Sequence, residues 1–219
     1  MTSLQQNQSP TLLWPAYWRS FKFRKILLFG LALIAIILSL FPLFFQAIEK
    51  RHGYLINDWV LNILPAHDVS AGIFFFIWTT TLITLVRCIQ DPMIFLNFLW
   101  SYILLCLTRV LTITLVPLEP PKDLYPIVDA MANAFYGPHF ITRDLFFSGH
   151  TATVFLMGLC LKKKYDKMIA FIATTFVGVL LLVQHVHYTI DVIVAPFMTW
   201  FIFKLAKKIV GEQSPAFNK

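Results

Sequence analysis

The chain contains several continuously apolar stretches close to 20 residues long, and this feature limits its fold more than any other. A helix of about that length matches the hydrocarbon thickness of a bilayer. Inside lipid the backbone must satisfy its own hydrogen bonds, so only helices and closed barrels span it. The stretches do not alternate between apolar and polar residues, which favours helices. With 58% apolar residues, the composition also excludes an ordinary soluble domain.

The pattern predicts an all-α membrane protein built as a bundle of six transmembrane helices. The predicted spans lie at about residues 26–48, 69–86, 93–116, 145–161, 168–184 and 188–205. A short N-terminal segment with an interfacial aromatic anchor (residues 1–25) precedes the six-span domain (26–205). A basic tail (206–219) follows it.

Basic residues are distributed unevenly between the two ends of the predicted bundle. Six spans place both termini on one side, and 13 of the 18 Lys and Arg residues fall on that side. The positive-inside rule makes this side cytoplasmic. The net charge of +7 is then explained by orientation and by contact with anionic lipids, so no nucleic-acid partner is expected.

Two polar motifs interrupt the apolar pattern at the opposite, extracytoplasmic side, which is periplasmic, luminal or extracellular. One begins at Ser148 and contains His150, and the other runs from His185 to Asp191. The chain crosses the bilayer twice between them and returns to the same face. His150 and His187 can therefore meet although they are 37 residues apart in the sequence. An ionisable side chain in an apolar span costs free energy, so each one is expected to have a structural or functional role.

The second motif has the composition of an activated nucleophile. His187 and Asp191 are four residues apart, which places them on one helical face if the sixth span has begun at His187. A carboxylate that binds one imidazole nitrogen fixes the tautomer and leaves the other nitrogen as a nucleophile. His150 would supply a proton to a leaving alkoxide. We therefore predict His150, His187 and Asp191 as catalytic residues.

Phosphate is the group that the surrounding residues are suited to bind. Ser148 and Gly149 stand at a helix start, where backbone N–H groups and the helix dipole attract anions. Arg109 near the end of the third span can bind phosphate oxygens, and His185 and Arg143 are further candidates. No metal and no cofactor are expected, because these residues do not resemble a magnesium carboxylate cage.

Each of these residues also has an ordinary structural interpretation when it is considered alone. A histidine near a span end is often packed or interfacial, and Arg109 can extend toward the headgroups. Asp191 can serve only as a cap of the sixth helix. The catalytic interpretation is favoured because all of these groups fall in the outer half of the bundle.

The segments 148–151 and 187–191 resemble the type 2 phosphatidic acid phosphatase superfamily. More narrowly, the segments 144–151, 185–192 and 109–117 are similar to the sphingomyelin synthase branch. In number and order of spans the resemblance covers roughly residues 25–205. It implies a six-span fold with His150, His187 and Asp191 as the catalytic triad. It also implies transfer of a phospho-headgroup from a glycerophospholipid to ceramide, with diacylglycerol as the second product.

Two departures separate the chain from the phosphatases of that superfamily. Those enzymes carry a Lys…Arg-Pro motif and a Ser-Arg pair ahead of the nucleophilic histidine. Here Val110 follows Arg109, and Leu180, Leu181 and Leu182 stand where Ser-Arg would be expected. Both differences favour the synthase branch.

Three functions remain open at this stage. The first is transfer through a phosphohistidine, with a choline, ethanolamine or inositol headgroup and with ceramide or diacylglycerol as acceptor. The second is a lipid phosphate phosphatase or phospholipase C-like hydrolase that uses the same site with water as acceptor. The third is a transporter or assembly factor, which the concentration of ionisable groups at one surface disfavours. The expected partners are the lipid bilayer and these lipids, and the sequence does not specify an oligomeric state.

Overall fold

The computed structural model describes residues 13–126 and 141–213. Parts of the predicted N-terminal segment, of the loop between the third and fourth spans and of the basic tail lie outside these ranges. The described residues form an all-α structure whose helices are α1 (Leu13–Trp18), α2 (Phe21–Glu49), α3 (Trp59–Ile63), α4 (Ser70–Gln90), α5 (Pro92–Leu115), α6 (Gly149–Cys160), α7 (Lys164–Val183) and α8 (Thr189–Val210).

Five of these helices, α2, α4, α5, α7 and α8, are long and apolar enough to cross a membrane. The expectation of an all-α, multi-pass membrane protein is thereby confirmed. The predicted fourth span is shorter than expected, because only the 12 residues of α6 are helical. At 1.5 Å per residue such a helix is about 18 Å long, less than the roughly 30 Å of a hydrocarbon core.

Short polar caps set the boundaries between the helices. Asp91 separates α4 from α5, and its Oδ1 accepts a hydrogen bond of 2.9 Å from the Met93 N–H. Pro92 occupies the first position of α5, where its missing N–H costs nothing. Ser148 caps α6, and its Oγ lies 3.4 Å from the donating Thr151 N–H. The residues before Ser148 are consequently not part of the helix, which is why the fourth span was predicted too long.

The short helix α6 occupies the interior of the bundle. It packs against α5, α7 and α8, and Ala152, Val154 and Leu156 on it are almost completely buried. Helix α5 packs in addition against α2 and α4. Because neighbouring helices cover α6, its apolar side chains are buried in protein although the helix is short.

Hydrogen bonds draw one end of the bundle together around the polar motifs. The Thr112 Oγ1 near the end of α5 donates to the Phe146 carbonyl over 3.0 Å. The Ser148 N–H donates to the Asp191 carbonyl over 3.1 Å, which joins the starts of α6 and α8. The end of α5 and the first turns of α6 and α8 therefore form one surface. The opposite end carries the ion pair between Arg87 and Asp166, at 2.6 Å.

Candidate active site

His187 and Asp191 lie next to each other, but not through the helical spacing that the sequence indicates. Helix α8 begins at Thr189 and is capped by Tyr188, so His187 precedes the helix. The carboxylate of Asp191 turns back toward the helix start, where its Oδ2 accepts a hydrogen bond of 3.1 Å from the Tyr188 N–H. The same Oδ2 is 3.5 Å from His187 Nδ1. Helix capping, rather than a shared helical face, brings the pair together.

Both side chains of this pair are buried, and each has one polar atom without a hydrogen bond in the described part of the chain. The exposed fraction is 4% for the His187 side chain and 0% for Asp191. Within the described residues, His187 Nδ1 and Asp191 Oδ1 have no hydrogen-bond partner. A contact of 3.5 Å is slightly longer than a normal hydrogen bond. The Asp191 side chain is placed to orient His187 through Nδ1, which leaves Nε2 for chemistry.

His150 stands beside His187 on the second residue of α6. The centroids of the two imidazole rings are 6.4 Å apart, and their planes are inclined by 64°. His150 is partly buried, whereas His187 is buried. The structure thus brings together the three residues that the sequence analysis selected for acid–base and nucleophilic chemistry. Their catalytic role remains a prediction.

Arg109 reaches the same place from α5 and lies directly against the backbone of Gly149. A Cβ atom added at Gly149 would be only 1.8 Å from Arg109 Nη1. Arg109 Nη2 is held by Asp144 Oδ1 at 2.5 Å. The Arg109 side chain is 16% exposed, and its guanidinium lies at the N-terminus of α6, where N–H groups and the helix dipole also favour an anion. Arg109, Ser148 and Gly149 therefore lie together at one point.

Asp144 was not selected in the sequence analysis, although it begins the segment 144–151. The available signal was indirect: Arg109 lies in an otherwise apolar span and calls for an acidic partner, but Asp144 is 35 residues away in the sequence. An ion pair explains both residues, because a buried charge needs a partner. The ion pair with Asp144 holds the Arg109 guanidinium in position beside the start of α6.

His185 and Arg143 are engaged in contacts between loops. The His185 ring lies between two carbonyl oxygens, with Nδ1 2.9 Å from that of Lys122 and Nε2 2.9 Å from that of Leu64. Arg143 contacts Glu119 Oε2 at 2.7 Å and the Glu49 carbonyl oxygen. Sequence reasoning placed both residues at the phosphate, whereas these contacts favour a structural role for each.

Asp58, which caps α3 at the end of the loop that follows α2, holds the start of α8 and was not identified from the sequence. Its Oδ2 accepts a hydrogen bond of 2.6 Å from the Thr189 N–H, and its Oδ1 accepts one of 2.9 Å from the Thr189 hydroxyl. Desolvation raises the pKa of the Asp58 carboxyl, but the hydrogen bonds from Thr189, Leu61 and Val60 outweigh it and hold the pKa below its usual range. No spacing pattern connects these positions, which are 131 residues apart.

Within the described ranges, no three or more His, Cys, Asp or Glu side chains are grouped so that they could hold a metal ion. The chemistry that the site offers comes from two imidazoles, a buried carboxylate, one guanidinium and the N-terminus of α6.

Comparison with known families gives a match over part of the chain. Residues 143–209 match the model described as PAP2 superfamily C-terminal. The matched segment contains α6, α7 and all but the last residue of α8, and with them His150, His187 and Asp191. This match supports the PAP2 superfamily. It indicates a lipid enzyme of the phosphatase or phosphotransferase type and does not distinguish the sphingomyelin synthase branch. No curated protein matches the chain.

Proposed function

We propose that this protein is a membrane phosphotransferase that moves a phospho-headgroup from a glycerophospholipid to ceramide and releases diacylglycerol. The observation that carries the proposal is the cluster of His187, Asp191 and His150 beside Arg109 at one end of an apolar helix bundle. Lipids that enter sideways from the bilayer would meet this cluster at the level of their phosphate groups.

In the first step, Nε2 of His187 attacks the phosphorus of the donor lipid. Asp191 faces Nδ1 and stabilises the positive charge that develops on the ring. The bond between phosphorus and the diacylglycerol oxygen breaks, and protonated His150 gives its proton to that oxygen. The products of this step are diacylglycerol and a phosphohistidine at His187.

In the second step the roles reverse. Neutral His150 accepts the proton of the ceramide hydroxyl, whose oxygen attacks the phosphohistidine phosphorus. The phosphorus–nitrogen bond breaks and His187 returns to its neutral form. Because His150 is protonated again at the end, the enzyme is ready for the next donor lipid.

The negative charge on the phosphoryl oxygens would be stabilised by Arg109 and by the first N–H groups of α6. Such fixed donors act strongly in a site with little water. Arg109 is already oriented by Asp144, so little reorganisation is needed when the lipid binds. Ser148 and Gly149 contribute the helix start against which this guanidinium rests.

The proposal includes six crossings, with both termini in the cytoplasm and the site on the extracytoplasmic face. Helix α6 counts as the fourth crossing because it is enclosed by its neighbours. The basic residues Arg87, Lys162 and Lys167 lie at the end of the bundle opposite the site, as positive-inside orientation requires.

The alternative is a lipid phosphatase or a phospholipase C-like hydrolase with the same residues and water as acceptor. The superfamily match supports this reaction as well, because it covers the residues that both reactions share. Transfer requires that the site exclude water and admit a second lipid during the lifetime of the phosphohistidine.

The test uses purified protein in liposomes with a fluorescent short-chain ceramide and one phospholipid donor at a time. Three proteins are compared: the wild type, His187→Ala, and His67→Ala, which removes an exposed histidine from a loop at the same end. We expect a new phosphosphingolipid from the wild type and from His67→Ala, but not from His187→Ala.

The products also separate the two reactions and identify the headgroup. Release of diacylglycerol without a ceramide product would establish hydrolysis and overturn transfer. Full activity of His187→Ala would show that the nucleophile is assigned wrongly. A product that forms with only one of the choline, ethanolamine and inositol donors would define the specificity.

A further inference from the structure

An open cleft of about 610 Å³ lies along α7, at the end of the bundle opposite the candidate active site. Three lysines, Lys162, Lys164 and Lys167, stand at one end of it, and Met168, Phe171 and Ile172 continue along it. We propose that this cleft binds one anionic phospholipid of the adjacent leaflet. The lysines would hold the phosphate of its headgroup, and the apolar part would hold the beginning of an acyl chain.

The charge of the cleft is not compensated by nearby acidic groups. Lys162 forms an ion pair with Asp91, but Lys164 and Lys167 form none with any carboxylate in the described part of the chain. The adjacent acidic residue Asp166 forms an ion pair with Arg87 at 2.6 Å, so its charge is neutralised by that arginine and not by the lysines. Two amines therefore remain to attract an anion, and a zwitterionic headgroup would satisfy them less well.

The order of residues along α7 matches the shape of a phospholipid. The lining residues of α7 recur every three or four positions from Lys164 to Thr175, which places them on one face of the helix. This face is basic in the first turn and apolar in the next two turns, over about 16 Å. Met168 and Ile172 are about half exposed, at 48% and 49%. The Phe171 ring lies against Gly158 of α6, where an added Cβ would be 2.8 Å from it, and so forms a fixed wall.

These observations favour a lipid as the occupant of the cleft. Helix α7 is long and apolar enough to cross a membrane, so its first turns lie where headgroups and the upper acyl chains are found. A soluble acidic peptide would not explain the apolar continuation of the cleft. Lipid binding at this cleft requires only that α7 lies in a membrane, and it does not depend on the proposed reaction.

The experiment uses the full-length protein in nanodiscs that contain a phosphatidylglycerol with a photoactivatable diazirine in one acyl chain. A phosphatidylcholine with the same chains is the matched probe. After illumination, peptide mass spectrometry locates the label. We expect phosphatidylglycerol to label residues 168–175 at least several-fold more than phosphatidylcholine. Equal labelling by both probes, or labelling confined to other segments, would overturn the proposal.

A pair of double variants with the same loss of charge tests the role of the lysines. Lys164→Gln/Lys167→Gln removes the two uncompensated amines of the cleft. Lys25→Gln/Lys208→Gln removes two exposed lysines from the starts and ends of other helices. Because each lysine near the membrane surface strengthens binding to an anionic lipid, the first variant should bind phosphatidylglycerol at least about tenfold more weakly in a native mass spectrometry titration.

The control variant should bind phosphatidylglycerol as the wild type does. Equal losses in both variants would mean that the whole basic end attracts anionic lipid and that the cleft is not a site. Labelling of the variants by the phosphatidylcholine probe reports whether the cleft is still formed. The comparison of the two probes on the wild-type protein needs no variant, so it remains decisive even if a substitution impairs folding.

Discussion

Replacing Gly149 by Ala should displace Arg109 while leaving the rest of the fold in place. The new Cβ would be 1.8 Å from Nη1 and 2.5 Å from Cζ of Arg109. Ordinary contacts between such atoms begin near 3.4 Å, so the guanidinium must retreat by about 1.6 Å. It is held by Asp144 at 2.5 Å, and this ion pair must stretch or break when the guanidinium moves.

The expected result is a large loss of activity with little loss of stability. A displacement of about 1 Å in a group that positions substrate can lower the rate about 100-fold, equivalent to about 2.7 kcal/mol in the activation free energy. The backbone of Gly149 does not have a positive φ, so Ala fits its conformation. Ala favours helix more than Gly, which offsets part of the cost of disturbing the ion pair, so the free energy of unfolding should fall by no more than about 1–2 kcal/mol.

Gly72→Ala provides the matched control. Gly72 also lies in the first turn of a helix, but a Cβ there would meet only the flexible end of Leu180, at 3.2 Å. Both variants would be assayed in liposomes for release of diacylglycerol, with thermal unfolding in detergent measured alongside. Equal rates for the two variants would refute the role assigned to Arg109.

A double-mutant cycle separates displacement of Arg109 from any other effect of Gly149→Ala. Arg109→Lys removes the planar group that approaches Gly149 and should itself lower the rate. In that background Gly149→Ala should have little further effect, because the clashing atoms are gone. Additive losses would show that Gly149 acts through something other than Arg109.

Two further predictions concern the loops that hold the site. Asp58→Asn should lower the free energy of unfolding at neutral pH by about 1–2 kcal/mol, because an amide cannot accept both hydrogen bonds from Thr189. The pKa of Asp58 is lowered in the folded state, so its contribution is present above the usual value of about 4 and is lost as the pH falls through the lowered pKa. Thermal unfolding between pH 7 and pH 3 should therefore show the difference from wild type narrowing on acidification, and a constant difference would contradict this account. His185→Ala should lower the free energy of unfolding by about 1–3 kcal/mol, because the carbonyl that receives the ring N–H, of Lys122 or of Leu64 according to the tautomer, loses its donor. His185→Asn should recover part of this loss, because Asn donates and tolerates the positive φ of 55°. Equal unfolding temperatures for wild type and His185→Ala would show that the ring does not hold the loops.

The sequence alone predicted the helices and the end of the bundle at which the polar motifs meet. An apolar stretch of given length is a local property, and it encounters the same hydrocarbon thickness whatever its neighbours are. The expected spans at 93–116 and 168–184 correspond closely to α5 and α7. Counting the crossings was enough to predict that His150 lies near His187, because each crossing takes the chain to the other side of the membrane.

Only the tertiary structure decided how the polar groups of the site are paired. The link between His187 and Asp191 depends on where α8 starts, and Asp58 contacts that start from a distant loop. The ion pair of Arg109 with Asp144 and its contact with Gly149 require the packing of α5 against α6. A helix in a lipid environment can be recognised from its own residues, whereas a buried polar group is satisfied by partners that distant parts of the chain supply. The spacing of residues in the sequence does not identify those partners.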